Sequence, residues 1–260
     1  MTSRYQSSTA EASIEVDVAA GCRLSSLEIR GRQILVTGAS RPIDWGLYPM
    51  APYAGRVRNG RFAFAGSTHR LRATDGDHAI HGTVLDRPWT PEGDGSFVIR
   101  LGEFWPFPGY ARQRIRLGSG QLDLQLEVHA EGTAMPASCG WHPWLRRQVA
   151  GARAELDFRP GFMLRRDEHG IATRDRVAPS DGPWDDCFGG VERPPSIRWP
   201  GFAALTIEST CRYWTVFNER DHALCVEPQT APPDDVNNDP FIVEPGRPLI
   251  ARMTMRWELE

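Results

Sequence analysis

The chain has 260 residues, of which 40% are hydrophobic, and its formal net charge is -3. This length suits one large β domain or two ordinary ones, and the composition is typical of a soluble protein. With 33 acidic and 30 basic residues, no basic excess indicates a nucleic-acid or membrane-surface partner. The sequence contains no lysine, which excludes a Schiff-base lysine and the phosphate-binding lysine of a P-loop.

The five cysteines are scattered along the chain and never spaced as Cys-x-x-Cys. Their odd number and their spacing disfavour a disulfide framework and a structural zinc site. This use of cysteine is typical of a reducing compartment.

The amino-terminal stretch MTSRYQSSTAEAS is polar and has no apolar core of the kind that a signal peptide needs. We expect residues 1–12 to be disordered. We expect residues 13–260 to form a single domain, because no linker or repeat divides them. No apolar run approaches the roughly 20 residues that span a bilayer. The sequence therefore predicts a cytoplasmic protein.

Apolar and polar residues alternate with a period of two along the whole chain. The pattern begins in SIEVDV, returns in RFAF, and is clearest in QLDLQLEVH, where every second residue from Leu122 to Val128 is apolar. It continues in ALTIES, WTVF and RMTMRWELE, and turn pairs such as Asn59-Gly60 and Pro245-Gly246 separate the segments. Such segments predict an all-β sandwich or barrel with large antiparallel sheets and few short helices.

The segment SCGWHPWLRR holds His142 between two tryptophans and directly before Pro143. The proline favours an extended backbone at His142. Because proline cannot donate a ladder hydrogen bond, it also predicts that His142 lies at the end or edge of a strand. Trp141 and Trp144 offer flat apolar surfaces that suit a sugar or the core equally well. His142 is therefore either a packed rim histidine or a proton donor in a pocket.

Glu227 has a similar local context, since it follows the apolar run ALCV and precedes Pro228. A carboxylate at the end of an apolar strand is partly desolvated, which raises its pKa and suits it to act as a base near neutral pH. Glu244 in FIVEPGR is a rival. Its Pro245-Gly246 pair is typical of a turn, however, and predicts an exposed corner. The sequence favours Glu227 without deciding the choice.

Two short stretches, HAIH and GRVR, hold further polar candidates. The spacing of His78 and His81 would suit a metal on a helix. This region reads as strand and loop, in which the two side chains point to opposite faces. A metal pair is therefore disfavoured, and His81 is the better site candidate, because the following Gly82 lets a ligand approach closely. Arg56 is either a clamp for a hydroxyl or carboxylate or an exposed arginine on an edge strand.

Together these stretches resemble the aldose 1-epimerase family, the galactose mutarotase-like proteins. Five marks occur in the family's order over most of the chain: GRVRNGRF, AIHG, GWHPWL, DDCF and VEPQTAPPDDVN. The resemblance implies a β-supersandwich with a sugar cleft on one sheet face. It also implies interconversion of the α and β anomers of a free aldose, without a metal or another cofactor.

The resemblance assigns the two proton-transfer roles to His142, as general acid, and Glu227, as general base. It assigns substrate binding to Arg56, His81 and Asp185. Trp144 is a further substrate-binding candidate, because its flat apolar ring lies beside His142 in the sequence. Asp186, the neighbour of Asp185, is the alternative at that position. Two marks depart from the family pattern, since Gly55 replaces the common Asn and Trp144 the common Tyr or Phe. The chain is also shorter than many family members. These differences affect which sugar is expected as the substrate more than which reaction is expected.

Three other interpretations stay open. A glycosidase would use a carboxylate pair such as Glu227 and Asp185. A non-catalytic carbohydrate-binding protein would need no proton transfer. An epimerase of a phosphorylated or acidic sugar is the third, because Arg146 and Arg147 could favour an anion. In each case we expect a small-molecule sugar as the partner, neither nucleic acid nor a membrane, and a monomer or homodimer.

Overall fold

The computed structural model describes residues 4–260. Strands joined by tight turns dominate this range. None of the helices in it is long and apolar enough to cross a membrane. The helices are short 3₁₀ turns at Pro42–Asp44, Arg58–Gly60, Gly102–Phe104 and Asp235–Asn237.

The strands share extended backbone and are numbered in chain order. They are β1 (Arg4–Ser8), β2 (Ala12–Asp17), β3 (Arg23–Ile29), β4 (Arg32–Gln33), β5 (Leu47–Met50), β6 (Arg56–Val57), β7 (Arg61–Phe64), β8 (Ser67–Arg70), β9 (Ala79–Ile80), β10 (Thr90–Gly93), β11 (Ser96–Arg100), β12 (Gly109–Gly118), β13 (Gln121–Ala130), β14 (Met135–Ala137), β15 (Gly140–Arg146), β16 (Gln148–Val149), β17 (Ala152–Arg153), β18 (Glu155–Asp157), β19 (Phe162–Arg166), β20 (Ala172–Val177), β21 (Asp185–Gly189), β22 (Ser196–Trp199), β23 (Ala203–Ser209), β24 (Tyr213–Phe217), β25 (Ala223–Gln229), β26 (Phe241–Val243) and β27 (Leu249–Leu259).

Most of these strands belong to two large antiparallel sheets. The first sheet has the order β1-β2-β3-β5-β15-β25-β24-β21-β19-β20, with β4 paired to β3. The second sheet has the order β10-β11-β12-β13-β27-β23-β22-β18. Short ribbons pair β6 with β9, β7 with β8, β14 with β26 and β16 with β17. The predicted all-β class, with large antiparallel sheets and few short helices, is confirmed.

The main hydrophobic core lies between the two large sheets. The apolar face predicted for β13, from Leu122 to Val128, is fully buried there. Trp141 of β15 enters this core from the first sheet. Its indole N–H donates to Gln113 Oε1 (2.9 Å), and the Gln113 amide donates to the Cys22 carbonyl (2.8 Å). This buried chain of hydrogen bonds links the sheets and leaves its polar groups partnered, as burial requires.

The opposite face of the first sheet carries a smaller apolar cluster. Alternation along β15 sends Trp141 and Leu145 into the main core and Trp144 into the smaller cluster. Along β25, Val226 faces the main core while Cys225 faces the smaller cluster. Because side chains alternate along a strand, His142 and Glu227 also project from this second face.

The amino terminus is ordered from Arg4 onwards, so the disorder predicted for residues 1–12 is wrong for that part. β1 pairs antiparallel with β2, and the Tyr5 ring packs edge-on against Phe97 at 5.5 Å. Ladder hydrogen bonds and this aromatic contact tie the segment down. The segment is polar because it is an edge strand with a solvated face. From sequence patterns alone, such a strand looks the same as a disordered segment. Residues 1–3 lie outside the described residues.

Candidate active site

A cleft of about 420 Å³ opens on the second face of the first sheet. Its floor is built from β15, β25, β24 and β21, and its rim from the loops before β5 and β6, the β8–β9 loop and the β19–β20 hairpin. Five predicted site residues from distant parts of the sequence line it together, namely Arg56, His81, His142, Asp185 and Glu227.

His142 and Glu227 face each other across neighbouring strands. β15 pairs antiparallel with β25 through Gly140↔Gln229 and Trp144↔Cys225, and this register places His142 opposite Glu227. The His142 Nε2 and Glu227 Oε1 atoms are 3.2 Å apart. Because directly opposite side chains on one face of an antiparallel pair are in contact range, the sheet itself holds the two groups together.

Both residues lie inside their strands, so the prediction of strand ends is wrong. The β15–β25 ladder skips the stretch between Gly140 and Trp144, where Pro143 and Pro228 have no N–H to donate. On their other sides β15 pairs with β5 and β25 with β24, which keeps both segments extended. The two prolines thus share one gap in the ladder, beside the His–Glu pair.

Aromatic rings fix the orientation of His142. Its imidazole stacks on Trp144 (centroids 5.3 Å apart, planes 8° apart) and on Tyr48 (5.0 Å), and it meets the His81 ring edge-on at 5.1 Å. Burial lowers the pKa of His142 well below its ordinary 6.5, and His81 lowers it further. Burial therefore disfavours the charged imidazolium form of His142.

Glu227 is 1% exposed and has two different neighbours. Its Oε1 faces His142, and its Oε2 accepts a hydrogen bond from Gln229 Nε2 (3.3 Å), which also donates to Thr215 Oγ1 (2.9 Å). Burial raises the pKa of Glu227 well above its ordinary 4.5, and the negative Asp185 raises it further. This is the direction that desolvation of a carboxyl predicts.

His81 enters the cleft from the end of β9 with a left-handed backbone (φ 58°). The next residue, Gly82, packs so closely that a Cβ there would stand 2.0 Å from the Ala51 carbonyl oxygen. Glycine thus brings two backbone segments together and aims His81. Burial, with a contribution from Arg56, lowers the pKa of His81 to about 3. His78 lies outside the cleft lining, as its spacing from His81 predicts.

Arg56 lies on β6 and reaches the cleft wall. Its Nε donates to Asp75 Oδ2 at 2.8 Å, and the Arg41 Nη2 atom is 4.0 Å from the other oxygen of Asp75. A guanidinium has five N–H donors, so the ion pair orients Arg56 while other donors remain for a ligand.

Asp185 shares the sheet face of Glu227, whereas Asp186 points to the other side of β21. The register shows this, because Asp185 pairs with Phe217 and Phe217 pairs with Cys225, two residues before Glu227. Arg166 contacts both carboxylates, through Nη1 to Asp185 Oδ2 (3.4 Å) and Nε to Asp186 Oδ1 (2.9 Å). Burial raises the pKa of Asp185. Both aspartates line the cleft, and the register places Asp185 on the same sheet face as Glu227.

Trp144 is not part of the cleft lining, so the expected substrate contact needs correction. The ring is 4% exposed, stacks between His142 and His222, and donates its indole N–H to the Ile43 carbonyl at 2.8 Å. This hydrogen bond ties the indole to the loop that carries Ile43, and Ile43 itself lines the cleft. Trp144 therefore supports His142 from the side.

Arg146 and Arg147 also lie away from the cleft lining. Arg146 Nε donates to the Leu35 carbonyl (3.0 Å), and Arg147 donates to the carbonyls of Asn218 (2.5 Å) and Arg220 (3.0 Å). Their donors hold loops together. The sequence-based argument for an anionic sugar therefore loses its support.

Three further residues matter to the site and do not stand out in the sequence. Gln229 contacts Glu227, and Tyr48 stacks on His142. Arg23 is fully buried beneath Tyr48, with its guanidinium 5.2 Å from that ring, and it donates to the carbonyls of Ala20, Pro42, Trp45 and Leu85. Of the three, only Gln229 could have been found from the sequence. It lies two residues after Glu227, and residues i and i+2 of a strand share a face.

The cleft also holds a cluster of potential metal ligands that sequence spacing does not reveal. One donor atom each from His81, His142 and Glu227 lies within 4.8 Å of the other two. The sequence suggests no metal site, because the pair His78 and His81 is disfavoured and His142 has no evident partner ligands near it in the chain. The trio is not evident from the sequence because its members come from three separate parts of the chain.

The fold and the cleft define a β-supersandwich protein with a buried His–Glu pair on one sheet face. A family model for aldose 1-epimerases matches residues 16–256, and the chain belongs to that family. The resemblance drawn from the five sequence marks is thereby confirmed. No curated protein sequence matches the chain.

Solved structures show the same fold. A candidate aldose 1-epimerase from Escherichia coli K12 is 19% identical, with a TM-score of 0.85 and 99% of each chain covered. A galactose mutarotase-like protein from Clostridium acetobutylicum is 16% identical, with a TM-score of 0.88 over 99% of this chain and 95% of the other. A galactose 1-epimerase from Lactobacillus acidophilus NCFM is 16% identical, with a TM-score of 0.79 over 97% and 93%.

Proposed function

We propose that this protein is a mutarotase, which interconverts the α and β anomers of a free aldose by opening and closing the sugar ring. Glu227 is the general base and His142 the general acid. The observation that carries the proposal is the 3.2 Å contact between His142 Nε2 and Glu227 Oε1, buried side by side in the floor of the cleft. Family membership supports the same chemistry.

The reaction moves two protons and leaves their number unchanged. The Glu227 carboxylate takes the proton of the C1 hydroxyl while protonated His142 gives its proton to the ring oxygen O5, and the C1–O5 bond breaks. Rotation about C1–C2 presents the other face of the aldehyde. Closure reverses both transfers. Before and after ring opening the His–Glu pair holds one proton, so each group serves in turn as acid and base.

The pKa directions of the pair fit this exchange. Burial raises the pKa of Glu227 and lowers that of His142, so a single proton shared by the pair lies by preference on Glu227. Ring closure starts from this state, with the proton on Glu227 and His142 neutral. Ring opening starts from the other state, in which Glu227 is a carboxylate and His142 carries the proton. Gln229 and Arg56 favour that second state, because both lower the pKa of Glu227. Because the two sites interact, they titrate as a pair.

Arg56, His81 and Asp185 are proposed to hold the sugar hydroxyls. They line the cleft with the His–Glu pair and offer a guanidinium donor, an imidazole and a carboxylate acceptor. The contact between Trp144 and His142 is proposed to matter through the orientation of the imidazole.

Gln229 is proposed as a positioning residue for Glu227. Its amide donates to Oε2 and leaves Oε1 for His142 and the sugar. The second bond of the same amide group to Thr215 Oγ1 fixes the amide itself. A buried amide held in this way restricts the rotation of the carboxylate plane.

The charges of the cleft favour an uncharged sugar over a phosphorylated or acidic one. Six carboxylic residues and four arginines line it. Three of these arginines contact acidic partners, with Arg41 near Asp44 and Asp75, Arg56 on Asp75, and Arg166 on Asp185 and Asp186. An anionic substrate would have to compete with carboxylates already in place.

Anomer exchange measured by two-dimensional exchange NMR tests the proposal. Glucose, galactose, xylose and arabinose are each compared with and without protein, and galactose 6-phosphate serves as the charged comparison. We expect faster exchange of at least one free aldose and a weaker effect on the phosphate. Unchanged exchange of every aldose, together with saturable sugar binding, would support a non-catalytic carbohydrate-binding protein. Release of nitrophenol from aryl glycosides would support a glycosidase.

A further inference from the structure

The trio of His81, His142 and Glu227 brings three good metal donors to one point of the cleft floor. Imidazole nitrogen and carboxylate oxygen are the donors that zinc and its neighbours among the divalent transition metals prefer. Two histidines and one glutamate form a common catalytic zinc set, with the fourth position open. Here the donor atoms lie within 4.8 Å of one another, and all three residues are buried.

The spacing of the donors is close to what a tetrahedral ion needs. Ligand atoms about 2.1 Å from zinc are separated by about 3.4 Å in a tetrahedral site. The His142 Nε2 to Glu227 Oε1 distance of 3.2 Å already meets this value. The His81 donor atom lies within 4.8 Å of the other two, so it has to move closer to complete the set.

The surroundings of His142 limit the affinity. Its Nε2 faces Glu227, and within residues 4–260 its other ring nitrogen, Nδ1, is buried and has no hydrogen-bond partner. Histidines in high-affinity metal sites donate this second N–H to a carboxylate or carbonyl, and loss of such a partner typically costs about 10–100-fold in metal affinity. The trio therefore lacks the outer support of a permanent metal centre and suits reversible binding.

We propose that this trio is an inhibitory site for a divalent transition-metal ion of the zinc class. An ion held by His81, His142 and Glu227 occupies both proton-transfer groups and excludes the sugar, so metal and sugar compete. Metal binding stands on the geometry alone, whereas the competition rests on the proposed function.

The direct test is a titration of the full-length, metal-free protein with Co²⁺, followed by visible absorption, and with ZnCl₂, followed by calorimetry. We expect one ion per chain and a visible band typical of four- or five-coordinate Co²⁺ with nitrogen and oxygen ligands. His81→Asn and Glu227→Gln should each weaken binding at least tenfold. Asparagine suits position 81, because it tolerates the left-handed backbone found there.

Two control variants exclude adventitious sites. Glu244→Gln removes a carboxylate outside the cleft lining, and His78→Gln combined with His169→Gln removes the histidine pair whose ring centroids lie 6.0 Å apart. Both should bind the ion as the unaltered protein does. The proposal is overturned if no ion binds, or if binding survives the changes at His81 and Glu227 and disappears with the histidine pair.

Sugar competition separates this inference from the proposed function. A free aldose that the protein binds should raise the apparent dissociation constant of Zn²⁺ in proportion to the sugar concentration, and zinc should slow anomer exchange until a chelator is added. If zinc binding depends on the trio while saturating sugar leaves it unchanged, the competition is overturned, and so is the placement of the sugar over His142 and Glu227. If anomer exchange is fast but no ion binds, the metal site alone fails.

Discussion

Two Val-Glu-Pro segments of this chain have the same tripeptide and opposite surroundings. Glu227 lies within β25, where it is 1% exposed and contacts His142 and Gln229. Glu244 directly follows β26, its side chain is 56% exposed, and it pairs with Arg247 at 3.2 Å within a turn. Valine and proline therefore set a local backbone preference without setting the chemistry of the glutamate between them.

The position of each strand explains the difference. β25 lies between β15 and β24 near the middle of the first sheet, so its side chains meet neighbours on both sides. β26 forms a short ribbon with β14. Burial raises the pKa of Glu227, whereas an exposed ion pair such as Glu244–Arg247 contributes only about 0–1 kcal/mol. One segment carries the proposed reaction, and the other closes a turn.

The largest expected effect comes from changing each glutamate to glutamine. Glu227→Gln keeps the shape but removes the base, and we expect the rate of anomer exchange to fall about 10²–10⁴-fold. Glu244→Gln should leave the rate unchanged. Polarimetry after dissolving a pure anomer, or exchange NMR, measures both. Equal rates in the two variants would remove the distinction between the segments.

A smaller effect is expected from Gln229→Met, which removes the donor to Glu227 Oε2. A hydrogen bond to a charged group contributes about 1.5–3 kcal/mol, so the rate should fall at least about tenfold. Gln229 lowers the pKa of Glu227, so its loss raises that pKa further and moves the alkaline limb of the pH profile to higher pH. Thr215→Val, which keeps the Gln229–Glu227 bond, should move the limb less. If the alkaline limb of the pH profile does not shift in Gln229→Met, Gln229 does not position Glu227.

The buried carboxyl should also cost stability. Its folded pKa is raised above the ordinary 4.5, so its contribution is favourable below that pH and is lost as pH rises towards the folded pKa. Glu227→Gln removes this dependence, and the variant should gain stability over the unaltered protein by up to about 1.4 kcal/mol per pH unit in that window. Urea unfolding between pH 5 and 9 measures the gain. Parallel stability curves would contradict a raised pKa.

The smallest effect is expected at the exposed segment. Glu244→Gln breaks an ion pair in which both side chains are more than half exposed, and it should change the free energy of unfolding by less than about 0.5 kcal/mol. The same urea series at two salt concentrations measures it. A larger loss would show that the turn contributes more than its exposure indicates.

Much of the fold could be predicted from the sequence, because period-two alternation reports directly on a half-buried strand. The β13 pattern from Leu122 to Val128 is an example. The order of strands in the sheets could not be predicted, since it depends on pairings between distant segments. The segment from Arg4 to Ser8 shows the same limit, because its order comes from β2 and Phe97 and not from its own residues.

The candidate site was predicted residue by residue only where the family resemblance supplied the positions. Each proline taken alone predicts a strand end at His142 or Glu227, whereas the structure places both prolines inside one sheet. Pro143 and Pro228 lie in the same gap of the β15–β25 ladder, which only the sheet register reveals. The surroundings of Trp144 could not be predicted for a related reason, since Ile43, which accepts its indole N–H, is remote in sequence.

A crystal structure with a free aldose in the cleft tests the central claim most directly. We expect the C1 hydroxyl to lie within hydrogen-bond distance of Glu227 and the ring oxygen O5 within hydrogen-bond distance of His142 Nε2. Arg56, His81 and Asp185 should contact the remaining hydroxyls. A sugar bound with C1 and O5 turned away from the His142–Glu227 pair would contradict it.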